Sequence, residues 1–169
     1  LVCRGSRAAL SGLDRSLSIV GTRNPTSYGQ RIAGDFAAGA VDRGWSVVSG
    51  GAIGIDTAAH QGALAAEGQT VAILGCGINS IYPSSNDRLF GEIMESGLLI
   101  SEVLPNVHAI PARFLIRNRL IAAISRATVV VEAAFRSGSL RTAREGAEIF
   151  RPVFAVPGPI NSPTSDGCH

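Results

Sequence analysis

With 169 residues, of which 46% are hydrophobic and 17% charged, the chain has the composition of one globular domain with a buried core, which excludes a disordered segment. The net charge is only +2, so the total field argues for no polyanionic partner. All 15 basic residues are arginine, which excludes a phosphate-loop lysine, a Schiff-base lysine and a lysine general base.

An arginine-only, alanine-rich composition is what a GC-rich genome produces. Arginine is also the better residue for forked contacts to phosphate and for stacking on bases. Cys3, Cys76 and Cys168 are odd in number and widely spaced, without a CxxC pair. Neither a zinc site nor a disulfide framework is therefore expected, and a reducing cytoplasm is the expected location. No stretch resembles a signal peptide, and no apolar run reaches ~18 residues, so no membrane span is expected. The chain starts at Leu1 and stops at His169 directly after a loop, which reads as a domain (1–169) cut from a longer protein.

Leu17 to Val20 is a short apolar run ending at Gly21, followed by the turn residues Asn24 and Pro25. Ile32, Phe36 and Ala40 then recur every fourth residue, a helical stripe closed by Gly44. Trp45 to Val48 reads as a strand, 55–67 as a helix and Thr70 to Leu74 as a strand. A helix is expected over 86–96, a strand over 98–100 and a helix over 115–125. A strand over 128–131, a helix over 139–149 and a last strand over 153–156 complete the pattern. The stretch 104–112, with Pro105 and Pro111, reads as the longest loop. Strands alternate with helices and are continuous apolar runs, as in strands buried on both faces. The expected fold is α/β, a Rossmann-like, doubly wound, mainly parallel sheet with helices on both faces.

Ligands on such sheets bind beyond the carboxyl ends of the strands, where loops run into helix N-termini. Four loops there share a theme. Gly21-Thr22-Arg23 offers a turn, a hydroxyl and a guanidinium. The loop 49–54, with Gly50 and Gly51, opens a helix, and residues without side chains let backbone N–H groups approach an anion. Glycine is also common in such loops for steric reasons alone, so both readings stand. Gly75-Cys76-Gly77 repeats the arrangement. Arg136-Ser137-Gly138-Ser139 places an arginine and two hydroxyls at a helix start; capping explains one serine but not the arginine, which favours an anion site.

In the segment Arg113 to Arg119, helical geometry puts Arg113, Phe114, Arg117 and Asn118 within roughly a 140° arc. Arg119 points to the opposite side and reads as a structural ion-pair partner. An aromatic ring flanked by two arginines on one face suits single-stranded nucleic acid, although a phenylalanine beside Leu115 and Ile116 is more simply core. Catalytic candidates are few. Asp56 and His60 are four apart on one helix, where a helix-end charge and a local hydrogen bond explain them without catalysis. Glu132 and Glu145 have no partner legible in the sequence. Neither a metal nor a cofactor is expected.

The stretches IVGTRNPTSYG, SGGAIGIDTAAH, LGCGINSIYPSSN, LISEV, FLIRNRLIAAIS, RSGSLRTARE and VFAVPGPINSPTSDGC occur in one order from end to end. With them the chain resembles the DprA/Smf family of bacterial DNA-processing proteins. The resemblance implies a Rossmann-like core that binds single-stranded DNA, loads the RecA recombinase onto it in natural transformation, and dimerises. Carried over by motif, it implies a DNA-binding role for Arg23, Phe114, Arg117, Arg119, Arg136 and the loop Ser137 to Ser139. It turns Phe114 from a core residue into a base-stacking one. It further implies a small helical domain before Leu1 and a winged-helix-like domain after the core, both outside this chain.

An alternative is a nucleoside-monophosphate phosphoribohydrolase of the cytokinin-activating type. Its PGGxGTxxE motif is matched here only in part by RSGSLRTARE, which lacks the second glycine. A dinucleotide-binding subunit would need GxGxxG and an acidic residue where Ser49 stands.

Overall fold

The computed structural model describes all residues, 1–169. Seven strands form one sheet: β1 (Val2–Gly5), β2 (Ser16–Val20), β3 (Ser46–Ser49), β4 (Thr70–Leu74), β5 (Leu98–Ser101), β6 (Ala127–Val130) and β7 (Val153–Ala155). Their spatial order is β1-β5-β4-β3-β2-β6-β7, and all neighbours are parallel except β1 and β5. Five helices connect them: α1 (Ser27–Val41), α2 (Ile55–Ala65), α3 (Asp87–Ser96), α4 (Pro111–Ile124) and α5 (Ser139–Glu148). The fold is the Rossmann-like α/β sheet that the alternation of elements predicts.

The pleat divides the core into two layers, because successive strand residues face opposite ways. Ile19, Val47 and Val129 pack with Ala33 and Ala37 of α1 and Ala59 and Ala63 of α2. Ala72, Leu74 and Leu99 extend that face to Phe90 and Ile93 of α3. Val20, Val48, Val71, Ile73, Leu98, Ile100 and Val130 face the other way, against Ile121 of α4 and Leu140 of α5. Small residues on α1 and α2 let the two helices lie close together: the nearest atoms to Gly62 are the backbone of Gly34.

Three expectations are corrected at the margins. β1 has no apolar run and was not expected; it pairs antiparallel with β5 at the sheet edge, where one side stays open. β7 lies at the other edge with all three residues exposed, so burial on both faces holds for β2 to β6 and fails at the rims. α4 starts at Pro111, not at Leu115. Proline fits the first helical turn because its missing N–H would have no intrahelical acceptor there. The segment 113–118 is therefore helical throughout, as the arc argument requires. No helix is long and apolar enough to cross a membrane.

Candidate functional site

The chain builds β2 to β5 outward on one side of β2, then returns to place β6 and β7 on the other. The topological switch point thus lies between β2 and β6, and a crevice is expected beyond their carboxyl ends. A cleft of about 370 Å³ opens there. Its walls are the loop after β2, the start of α2, the first turns of α4 and the loop that opens α5.

The floor is an internal charge system. Asp56, in the first turn of α2, accepts hydrogen bonds from the backbone N–H groups of Gly50 (3.1 Å) and Ala52 (3.3 Å). Arg117, 5% exposed, donates from Nη1 to the carbonyls of Gly50 (2.7 Å) and Ile73, and from Nε to Asn118 Oδ1 (3.3 Å). Gly50 lies between the two: a Cβ there would fall 2.6 Å from Asp56 Oδ2 and 2.8 Å from Arg117 Nη1. Burial raises the Asp56 pKa, and the Arg117 guanidinium opposes that rise. Burial likewise lowers Arg117 to about 10, against the pull of Asp56. Gly50 and Gly51 are buried, so the N–H donors read as an open phosphate cradle are filled from within by a carboxylate.

The start of α1 is filled in the same way. Glu132, which follows β6, accepts from Thr26 N (2.9 Å) and Thr26 Oγ1 (2.6 Å). The start of α5 differs. Its N-cap is Gly138, exposed and without a side-chain cap. The Gly138 N–H has no acceptor within the chain, and that of Ser139 has only Ser137 Oγ, at 3.4 Å. Asn118 Nδ2 holds the Gly138 carbonyl at 3.1 Å, which fixes this loop to α4. Ser137 and Ser139 share a hydroxyl contact of 2.8 Å. The N-terminus of α5, positive by its dipole, therefore faces the cleft with the Gly138 N–H free.

Phe114 is half-buried over this floor. Its ring centroid lies 5.7 Å from the guanidinium carbons of both Arg23 and Arg117. It also lies 5.6 Å from the ring of Tyr82, inclined at 56°. A Cβ on Gly75 would fall 2.7 Å from the Phe114 ring, so glycine there gives the ring its seat. Arg23 is exposed, and its loop is held by Gly54, whose φ of +89° and 2.8 Å clearance from Arg23 Cα admit no side chain.

The profile of the family described as DNA recombination-mediator protein A matches residues 1–169, the whole chain. The chain belongs to this family. A putative DNA processing protein DprA of Mycobacterium tuberculosis is 50% identical over 155 residues, covering 92% of this chain and 40% of that protein. The X-ray structure of DNA processing protein A from Streptococcus pneumoniae superposes with a TM-score of 0.92 at 39% identity. It covers 99% of this chain and 58% of that one. That of DNA processing protein A from Helicobacter pylori, described for its unique single-stranded DNA binding mode, gives 0.88 at 34% identity, covering 98% and 74%. The chain thus spans 40% of the length of the mycobacterial relative.

Of the DprA/Smf motif residues, Arg23, Phe114, Arg117, Asn118 and Ser137 to Ser139 meet at the cleft. Arg119 does not; it forms an ion pair with Glu102 on the outer side of α4. Arg113 lies partly exposed in the first turn of α4, where Nη1 donates to the His108 carbonyl at 2.7 Å. Arg136 is exposed at a φ of +66°, its guanidinium carbon 5.4 Å from the ring of Phe135. His60 is fully buried with Nδ1 2.7 Å from Thr70 Oγ1, out of reach of any substrate. Glu145 pairs with Arg141 on the surface. No three His, Cys, Asp or Glu side chains converge as a metal site.

Two features of the site escape a sequence reading. Glu132 reaches Thr26 across 106 residues, a separation that leaves no local pattern. Tyr82 stands in the quoted stretch LGCGINSIYPSSN, where the dipeptide Tyr82-Pro83 reads only as a turn.

Proposed function

We propose that the chain is the single-stranded-DNA-binding core of a recombination mediator and performs no catalysis of its own. The observation that carries this reading is the unfilled N-terminus of α5, facing a cleft rimmed by Arg23 and Phe114. A backbone phosphate suits the Gly138 N–H, and Arg23 lies where it adds a charged contact. The cleft is open on one side and carries an aromatic ring, which suits a strand with unpaired bases better than a duplex. The use of the carboxylates supports a binding role: Asp56 and Glu132 are both held by backbone donors, not poised for proton transfer. Loading of RecA onto the bound strand, action in natural transformation, dimerisation and a cytoplasmic location are part of the same reading. They are supported by family membership.

A salt titration tests it. Binding to a single-stranded oligonucleotide should weaken with a log–log slope of about −0.7 per phosphate contact, over ~3 to 5 contacts. Duplex of the same length should bind much more weakly. Arg23→Ala should lower the slope by about one contact and weaken all sequences alike. Equal affinity for duplex and single strand would overturn the reading.

Phe114 belongs to this test. Phe114→Ala should weaken single-strand binding by roughly 1–3 kcal/mol, the range for losing one stacked base. Because the ring is half-buried, its stability cost should stay below the ~3–5 kcal/mol of a fully buried phenylalanine. A strongly destabilised variant whose folded fraction binds DNA normally would assign Phe114 to the core. Phe114→Leu keeps most of the apolar volume and removes the flat face, so stability and binding should separate further.

A further inference from the structure

Of the two rings that meet beside Arg23, Phe114 and Tyr82, Tyr82 has the larger free surface. It is 51% exposed, and its hydroxyl has no hydrogen-bond partner in the chain. Tyr28, by contrast, donates to the Pro157 carbonyl at 3.3 Å. Phe114 is enclosed by Arg23, Arg117 and the backbone of Gly75, so its free face is limited. Beside it lies a second, small hollow of about 50 Å³, bordered by Arg23, Ile53, Tyr82, Pro83 and Phe114. That hollow is too small to enclose a base, so a base on Tyr82 would lie across its mouth. Its apolar floor includes Ile53, itself 46% exposed. Arg23 and Phe114 border both the hollow and the main cleft.

We propose that Tyr82 is a second base-stacking position, so that the site seats two successive nucleotides, one against Phe114 and one on Tyr82. This rests on the single-strand reading above. Arg23 stands at the border of the two hollows, where the phosphate linking the nucleotides would pass. The 56° between the rings has a physical consequence. Two bases, each parallel to its own ring, are turned away from one another, so the strand is unstacked at this step. Thymine tracts, which self-stack weakly, lose little there; adenine tracts lose more.

The test is a fluorescence-anisotropy titration of oligo-dT and of an abasic strand of equal length, against the wild-type chain, Tyr82→Leu and Tyr82→Phe. Tyr82→Leu should weaken oligo-dT binding roughly 5- to 150-fold, the equivalent of one stacked base. Tyr82→Phe should keep wild-type affinity, and the abasic strand should not distinguish the three proteins. Unchanged oligo-dT affinity in Tyr82→Leu overturns the proposal, as does an equal loss on both strands or a failure of Tyr82→Phe to preserve binding. A wild-type chain that binds no oligo-dT sinks the wider reading before any variant is compared. Wild-type binding with an indifferent Tyr82→Leu sinks this proposal alone. Should Tyr82→Leu not fold, photocrosslinking of a 5-iodouracil strand to the wild-type chain decides: a crosslink mapped to Tyr82 supports the stacking position, and its absence overturns it.

Discussion

Arg117→Ala is expected to lower the unfolding free energy by about 3–5 kcal/mol, the range for removing one partner of a buried charge system. The guanidinium supports three elements at once. It bridges the carbonyls of Gly50 and Ile73, orients Asn118, and lies within cation–π range of Phe114. Alanine removes that donor from both carbonyls and leaves Asp56 buried without its countercharge. Urea denaturation should show a lower midpoint with little change in slope. Arg117→Lys should recover only part of the loss, because a single ammonium lacks the planar fork that reaches several acceptors. A folded Arg117→Ala protein of wild-type stability that has lost DNA binding would instead assign the guanidinium to the strand itself.

Acid should destabilise the fold through His60, starting well above the carboxylate range. Burial, with a smaller contribution from Arg117, lowers its pKa from 6.5 to about 3. Its Nε2 is buried without a hydrogen-bond partner, so the folded state has no place for the second proton. Below pH 6.5 the unfolded chain binds a proton that the folded chain refuses. Stability from this group is therefore complete above that pH and declines as pH falls toward about 3, by about 1.4 kcal/mol per unit and about 5 kcal/mol in all. Asp56 works in the opposite direction. Its pKa is raised in the fold, so on acidification the folded chain takes up that proton before the unfolded chain does, which offsets part of the loss at the acid end. Thermal midpoints of wild type and His60→Leu, compared from about pH 7.5 to about pH 4, separate the two groups. Leucine loses only the bond to Thr70 Oγ1, which keeps its own bond to the Val47 carbonyl. The wild-type midpoint should fall across that range while that of His60→Leu stays nearly level. A level wild-type curve would show that His60 accepts a proton in the folded state.

The sheet was legible because parallel strands covered on both faces leave unbroken apolar runs, as at Thr70 to Leu74. β1 was not, since an edge strand paired on one side tolerates Arg4 and Gly5. The start of α4 was misplaced because Pro111 serves equally as a loop residue and as a first helical residue. At the site, Arg23, Phe114 and the loop Ser137 to Ser139 could be named from motif and chemistry. Which helix N-terminus remains open could not. Asp56 fills the donors of the loop before α2 from six residues beyond Gly50, a local pattern, whereas Glu132 fills the start of α1 through a contact only the finished sheet creates. Arg117 likewise meets Gly50 across 67 residues.

The carboxylates at α1 and α2 also determine what the crevice turns away. In sheets of this kind the pyrophosphate of a dinucleotide rests at such helix starts. Here both positions already carry negative charge, and a diphosphate arriving there would meet repulsion where the fold usually provides attraction. Free nucleotides would then be poor competitors for the site. A polymer that presents one phosphate at a time to α5 does not need the two closed positions and escapes that exclusion.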